Sequence, residues 1–372
     1  MSRVRRERFA VVGCGLLGLA ASVELARRGH EVIAFEQAAA PGHEWSGSKG
    51  ISRIFRLSYD EPIYVRMAAE SLPLWRDLEQ GSGEPLLTTT GLLSFGAQLE
   101  ELAAAMAAEG AAAEVLDAGS VARQYPGLAI GGPAVLDPAA GVIAADRVLR
   151  ALAGLASAAG VDLRFGVAVQ GVEPGEGSVR VLTRDGAVEA AAAVICAGPG
   201  SAALARTAGI EYETYASLEQ VAWFRVTERD LPCVVRRMDP GEAVETIGVY
   251  GLPAGRGSYK FGLHQVGPHV TAGGLLAGVH EEMLATLTSA ATELIEGLDP
   301  APTYVERCVY DNTVDGHFVL DRVGSVVVGS GTSGHGFKFG PLLGRVLADL
   351  ACGADPGVDL RLFSLSRPRG PF

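Results

Sequence analysis

Phe9-Ala10-Val11-Val12-Gly13-Cys14-Gly15-Leu16-Leu17-Gly18 is the stretch that decides the fold. Its four leading apolar residues read as a short buried strand, and they run straight into a complete G-x-G-x-x-G. The segment after the glycines reads as a helix to Arg28, with Gly29 as its stop. Val32-Ile33-Ala34-Phe35 is then a second strand, ending at Glu36. That acid lies 18 residues beyond Gly18, close to the spacing at which a carboxylate meets the ribose hydroxyls of an adenine dinucleotide. Gly13 permits the tight turn, Gly15 lets the backbone approach a pyrophosphate, and Gly18 lets helix and strand pack closely. Leu16 and Leu17 open the helix, whose N-terminus turns its partial positive charge toward the phosphates. Six residues of pattern alone are weak evidence, whereas strand, glycines, helix, strand and acid in sequence are strong.

Upstream, Arg3, Arg5, Arg6 and Arg8 precede the apolar stretch, and Ala20-Ala21-Ser22 follows, which superficially reads as a secretory leader. Cleavage there would destroy the dinucleotide unit, so the segment is read as part of the fold. Downstream, Asp146 is expected to cap a helix through Ala159, with Gly160 ending it. Strands are expected at Val161–Phe165, Val167–Val172, Val179–Thr183 and Val194–Gly198, with a turn at Asp185-Gly186. This stretch reads as a return to the nucleotide-binding sheet, with Val169 and Gly198 among the cofactor contacts. Residues 85–146 and 214–305 differ in character, with alternating strands such as Gln220–Val226 and Tyr259–His264. Val326-Val327-Val328-Gly329 leads through a glycine-rich loop to Pro341 at the head of a last helix. The expected fold is α/β (α+β). A dinucleotide-binding domain of residues 1–84, 147–213 and 306–372 is threaded by a mainly antiparallel β substrate domain of residues 85–146 and 214–305.

The 372 residues allow roughly two domains at about 150 residues each. Lys+Arg 31 against Asp+Glu 43 gives a net charge of −12, which argues against a nucleic-acid surface. Glu24 interrupts the longest apolar run, short of the ~20 residues of a membrane helix. Five cysteines, Cys14, Cys196, Cys233, Cys308 and Cys352, contain no C-x-x-C pair, so neither a disulfide framework nor zinc is indicated. No spacing of the seven histidines suggests a metal. A cytoplasmic protein without nucleic-acid or membrane partners is expected.

Four further segments follow, Ser52-Arg53-Ile54-Phe55-Arg56, Tyr259-Lys260-Phe261-Gly262-Leu263-His264, Arg307-Cys308-Val309-Tyr310 and Ser333-Gly334-His335-Gly336-Phe337-Lys338-Phe339, the last three far more specific than the fingerprint. With them the chain resembles, over nearly its whole length, the monomeric sarcosine oxidase family, within the D-amino-acid-oxidase-like flavoproteins. The resemblance implies a Rossmann-like FAD-binding domain and FAD carried covalently as a thioether on Cys308. Read without it, Cys308 is a small buried hydrophobe. Arg56 and Lys338 match the pair that holds the substrate carboxylate, an arginine fork and a point charge. Read alone, each would be a surface cation in a salt bridge, although their apolar flanks favour an inward position.

Arg53 matches a flavin-proximal arginine and Lys260 the lysine that activates oxygen, whereas strand alternation alone would turn Lys260 to solvent. His264, Tyr310 and Tyr250 match active-site side chains, the loop between Tyr250 and Lys260 being one residue shorter here. Ser52, Gly334, His335, Gly336, Phe337 and Lys338 fall among the cofactor contacts. One departure matters: Ser48-Lys49-Gly50-Ile51-Ser52-Arg53 puts Lys49 where the family commonly has histidine, and a lysine beside the flavin would alter reactivity or contact phosphate.

The expected function is therefore a monomeric FAD-dependent oxidase of a carboxylate-bearing secondary amino acid, N-methyl or cyclic. It would give an imine, with O2 as acceptor and H2O2 as product. A flavin dehydrogenase, a deaminating oxidase of primary amino acids, a nicotinamide enzyme and a flavin-binding protein with little turnover are the alternatives.

Overall fold

The computed structural model describes residues 6–227, 229–238, 247–271 and 278–368. Of the N-terminal arginines, Arg3 and Arg5 lie outside them. Arg8–Val12 forms the central strand of a six-stranded sheet, with Glu31–Glu36 and Ala192–Ile195 parallel on either side. Asp162–Phe165 extends one edge and Val326–Ser330 the other, both parallel, and Val319–Val323 closes it antiparallel. The central strands are almost wholly buried, as a sheet covered on both faces requires. Leu16–Arg27 is the first helix, and Gly29 at φ +87° takes the left-handed turn that ends it.

Gly340–Cys352, the last helix, lies across the first at very short range. A Cβ on Gly344 would stand 2.5 Å from the Ala20 Cβ, and one on Gly340 would stand 2.7 Å from Leu16. This contact fixes the C-terminal motif beside the N-terminal fingerprint.

Two expectations from the sequence are corrected. The segments Val169–Pro174 and Val179–Thr183 do not rejoin the large sheet; with Gly186–Ala190 they form a separate three-stranded antiparallel sheet. Apolar alternation marked them as strands but carried no signal of which sheet would cover them. Asp146 does not cap its helix, Ala145–Ala158. It sits inside the first turn and pairs with Arg150 at 3.0 Å, an i,i+4 pair on the helix surface.

A nine-stranded sheet holds Leu92–Gly96, Glu114–Leu116, Ala134–Asp137 and all the strands from Tyr215–Arg225 to Pro302–Asn312. Within it, Tyr215–Arg225 is paired antiparallel by Ser258–Leu263 on one side and Pro302–Asn312 on the other. The register sets Lys260 opposite Trp223, Cys308 opposite Glu219, Tyr310 opposite Ser217 and Tyr250 opposite Gly262. Opposed residues share a face and side chains alternate along each strand, so Lys260, Cys308, Tyr310 and Tyr250 all project from one side. A small fourth sheet, Ser52–Phe55, Gly141–Ala144 and Leu87–Thr89, carries Arg53. Among the described residues no helix is long and apolar enough to cross a membrane.

Candidate active site

Two cavities meet at these elements. The outer one, about 780 Å³, runs from Glu36 and Gln37 past Gly13, Gly15, Leu16 and Leu17 to Tyr310 and Phe337. The inner one, about 70 Å³, is lined by Arg53, Arg56, Lys260, Lys338, His264, Tyr250, Tyr310 and Cys308, with Ile54, Val221, Val235 and Leu252 as apolar wall. Arg53, Tyr310, Gly334 and Phe337 line both, so the two share a partition.

The outer cavity is built of backbone. Gly13, at φ +97°, could take no side chain, because a Cβ would stand 2.4 Å from the Cys196 carbonyl oxygen. Glu36 is buried at the end of the second strand, where its carboxylate accepts the N–H groups of Cys14 and Ala38, each at 3.0 Å. Val169, Gly198 and Gly336 line the same cavity. Gly18 does not. Its place is against the turn, where a Cβ would stand 1.8 Å from the Gly13 carbonyl oxygen.

Ser48, unforeseen in the sequence, accepts the N–H of Leu16 at 3.0 Å with its hydroxyl and so holds the loop 46–48 over the helix N-terminus. Asp311 was also unforeseen. It is buried and lines the outer cavity, its Oδ2 accepts the Gly331 N–H at 2.7 Å, and its Oδ1 has no partner among the described residues. Burial pushes its carboxyl up to about 6. A buried acceptor without a donor, in a cleft lined by glycines at a helix N-terminus, fits a ligand that carries both phosphates and hydroxyls. The residues present thus suit FAD.

The inner cavity is built of charge. Lys260 is 2% exposed, against the strand-alternation reading, and donates to the Ser52 carbonyl at 3.0 Å with its ammonium 5.0 Å over Trp223. Burial, and then the Arg53 charge, lower it to about 7. Arg53 also donates to the Ser52 carbonyl, at 2.9 Å, and to the carbonyls of Gly47 and Lys49. Ser52 thus enters the site through its carbonyl, which orients both cations.

Arg56 and Lys338 are each 6% exposed. Arg56 donates to the Ser58 carbonyl at 2.5 Å and Lys338 to that of His335 at 2.8 Å. Burial, and then the charges of Arg56 and Arg53, hold the Lys338 ammonium well below its usual range. Among the described residues, neither Arg56 nor Lys338 ion-pairs with a carboxylate. The Cys308 thiol is buried in the wall; burial raises it, and the Arg53 and Lys260 charges pull it back. The Tyr310 ring lies flat on Gly334, where a Cβ would meet it at 2.1 Å, and its centroid is 5.7 Å from that of His264.

Lys49 is corrected by its surroundings. It lines neither cavity; its ammonium lies 2.8 Å from Glu44 and 3.6 Å from Glu306. The two carboxylates draw it away from the glycine loop.

A dinucleotide cleft sharing a partition with a small cationic chamber defines an oxidoreductase that holds a redox nucleotide against an anionic substrate. The chain belongs to the DAO family of FAD-dependent oxidoreductases, whose profile matches residues 8–350. It is 30% identical to the peroxisomal sarcosine oxidase of Homo sapiens, covering 96% of this chain and 95% of that one. It is 29% identical to the monomeric sarcosine oxidase of Bacillus sp. (strain B-0618), again over 96% of this chain and 95% of the relative. Among solved structures it is similar to NikD, an unusual amino acid oxidase essential for nikkomycin biosynthesis, in its open form. The TM-score is 0.84 at 27% identity, over 97% of this chain and 98% of that one.

Proposed function

We propose that the chain oxidises a carboxylate-bearing secondary amino acid, N-methyl or cyclic, at the carbon next to nitrogen. The product is an imine, O2 is the acceptor and H2O2 is released. The observation that carries this reading is the inner cavity itself, lined by Arg53, Arg56, Lys260 and Lys338 and, among the described residues, by no carboxylate. Arg56 and Lys338 take the substrate carboxylate, the guanidinium through two parallel hydrogen bonds and the ammonium as a point charge. The same cations disfavour an ammonium on the substrate, so the nitrogen is bound neutral, with its lone pair free to assist loss of the C–H. His264, Tyr250 and Tyr310 confine the amine end, and a preorganised C–H needs no strong base.

FAD bound in the outer cavity supplies the two-electron acceptor, and its reoxidation by O2 yields the peroxide. Cys308 is the attachment point for that cofactor: it lines the inner cavity while the adjoining Val309 and Tyr310 line the outer one, which supports its reaching a flavin seated at the partition. Lys260 serves the oxygen half-reaction, holding a positive charge where O2 becomes an anion. The enzyme acts as a cytoplasmic monomer. Residues 1–84, 147–213 and 306–372 bind the cofactor, and 85–146 and 214–305 shape the substrate chamber.

Anaerobic bleaching of the purified yellow protein tests the substrate class. N-methyl amino acids, proline and pipecolate should reduce the flavin, and their decarboxylated counterparts should not. Equal bleaching by acids and decarboxylated amines would overturn the carboxylate reading. Yellow flavin released into the supernatant by acid precipitation would overturn attachment to Cys308.

A further inference from the structure

Tyr59 lines neither cavity, yet its ring meets two of the four cations of the inner one, Arg56 and Lys338. The Arg56 guanidinium carbon lies 4.2 Å above its ring centroid and the Lys338 ammonium 5.4 Å from the same centroid. Its hydroxyl is 3.2 Å from His335 Nδ1, and His335 Nε2 is 3.1 Å from the Gly316 carbonyl. Burial keeps His335 neutral, and a carbonyl only accepts, so Nε2 carries the proton and Tyr59 donates to Nδ1. The His335 carbonyl in turn accepts from Lys338 Nζ, so Tyr59 reaches Lys338 both through its ring and through the His335 it orients. Its own position is fixed by Tyr64 and Phe339, whose ring centroids lie 5.2 and 5.7 Å away.

Two buried like charges that form no direct ion pair with a described carboxylate repel each other and lack hydration. An Asp or Glu between them would relieve this but would occupy the valence a substrate carboxylate needs. An aromatic face attracts both cations and puts no anion in the place a substrate carboxylate would take. Burial also holds the Tyr59 phenol above its usual range, so it stays uncharged and cannot compete as an anion.

We infer that Tyr59 is the positioning residue of the anion site, a neutral platform that holds Arg56 and Lys338 side by side and charged for an incoming carboxylate. The inference rests on the carboxylate reading given under Proposed function.

The test titrates the oxidised, FAD-loaded enzyme with acetate and with acetamide, its uncharged counterpart, reading the perturbation of the flavin spectrum. Tyr59→Phe keeps the ring face and should change acetate binding less than about threefold. Pentafluorophenylalanine at position 59 keeps the shape but reverses the ring quadrupole, and Tyr59→Leu removes the ring. Both should weaken acetate about tenfold or more, the size of a desolvated cation–π contact, with acetamide unchanged. Equal losses for acetate and acetamide would make Tyr59 a shaping residue and overturn the proposal, as would wild-type acetate affinity in the fluorinated variant. If the fluorinated ring alone leaves acetate tight while Leu weakens both ligands, packing is its whole role. An unsubstituted enzyme that does not prefer acetate to acetamide would sink the carboxylate reading, and Tyr59 with it.

Discussion

The outer cleft and the inner chamber hold their ligands by opposite means. The cleft offers backbone N–H groups, glycine surfaces and a helix terminus, and it fails when an atom is added. The chamber offers four cations, three of them buried, and it fails when a charge is removed. The largest expected effect follows from the first. Gly18→Ala places a methyl 1.8 Å from the Gly13 carbonyl oxygen and 3.2 Å from Val11, both in the core of the first β-α turn. The obstacle is backbone and cannot rotate away. We expect a loss on the order of 4 kcal/mol of stability or more, read as a collapsed Tm and protein purified without yellow colour. Gly154→Ala, inside a helix with nothing within 4 Å, is the control and should be neutral or stabilising by ~0.4–1 kcal/mol. A yellow, stable Gly18→Ala protein would show that the cleft is not backbone-limited.

The chamber answers to the reverse operation. Arg56→Gln removes a buried charge that forms no direct ion pair with a described carboxylate. It should cost on the order of 2–5 kcal/mol of carboxylate binding, the range for cutting one partner from a buried charge pair. FAD content should stay unchanged, because Arg56 does not line the cleft. Loss of flavin together with substrate affinity would erase the distinction between the two regions. Lys260→Met keeps length and removes charge. Stopped-flow should show anaerobic bleaching little altered and reoxidation slowed at least ~100-fold, equivalent to ~2.7 kcal/mol of barrier. Equal slowing of both half-reactions would make Lys260 a substrate contact.

The two regions were also unequally legible in the sequence. The cleft's first wall was readable because its pieces are local: Val12, Gly13, Gly15 and Glu36 sit within one β-α-β unit whose spacing is dictated by helix and strand geometry. The chamber is assembled from Ser52–Phe55, Ser258–Leu263, Pro302–Asn312 and the turn at Phe337–Phe339, which only the sheet register and the contact between first and last helices bring together. Periodicity alone put Lys260 in solvent, whereas the Ser52–Phe55 strand, whose Ser52 carbonyl Lys260 meets, lies over that face and buries it. Resemblance to a family named the chamber residues but not their supports. Tyr59, Ser48 and Asp311 carry no spacing signal; each acts through a partner far away in the chain.

Lys49 stands between the two regions, and its effect should be the smallest. It lines neither cavity, and its contact with Glu44, which is 71% exposed, is a surface pair worth ~0–1 kcal/mol. Lys49→Met should therefore leave stability and FAD content nearly unchanged. One consequence does reach the chamber. Lys49 lies 3.6 Å from Glu306, and the negative charge of Glu306 is among the influences that raise Lys260, opposing burial and the Arg53 charge that lower it to about 7. Removing the Lys49 cation leaves the Glu306 charge less compensated, and an uncompensated anion favours the ammonium form of Lys260. If the protonated form serves oxygen, reoxidation falls as pH rises through about 7, and Lys49→Met should move that midpoint upward by ~0.2–0.5 pH units, a fraction of the shifts that direct contacts produce. Glu306→Gln should move it the opposite way, because it deletes the anion itself. A midpoint that stays still in both variants would mean that Glu306 does not govern Lys260, and a downward move in Lys49→Met would reverse the sign on which the electrostatic link depends.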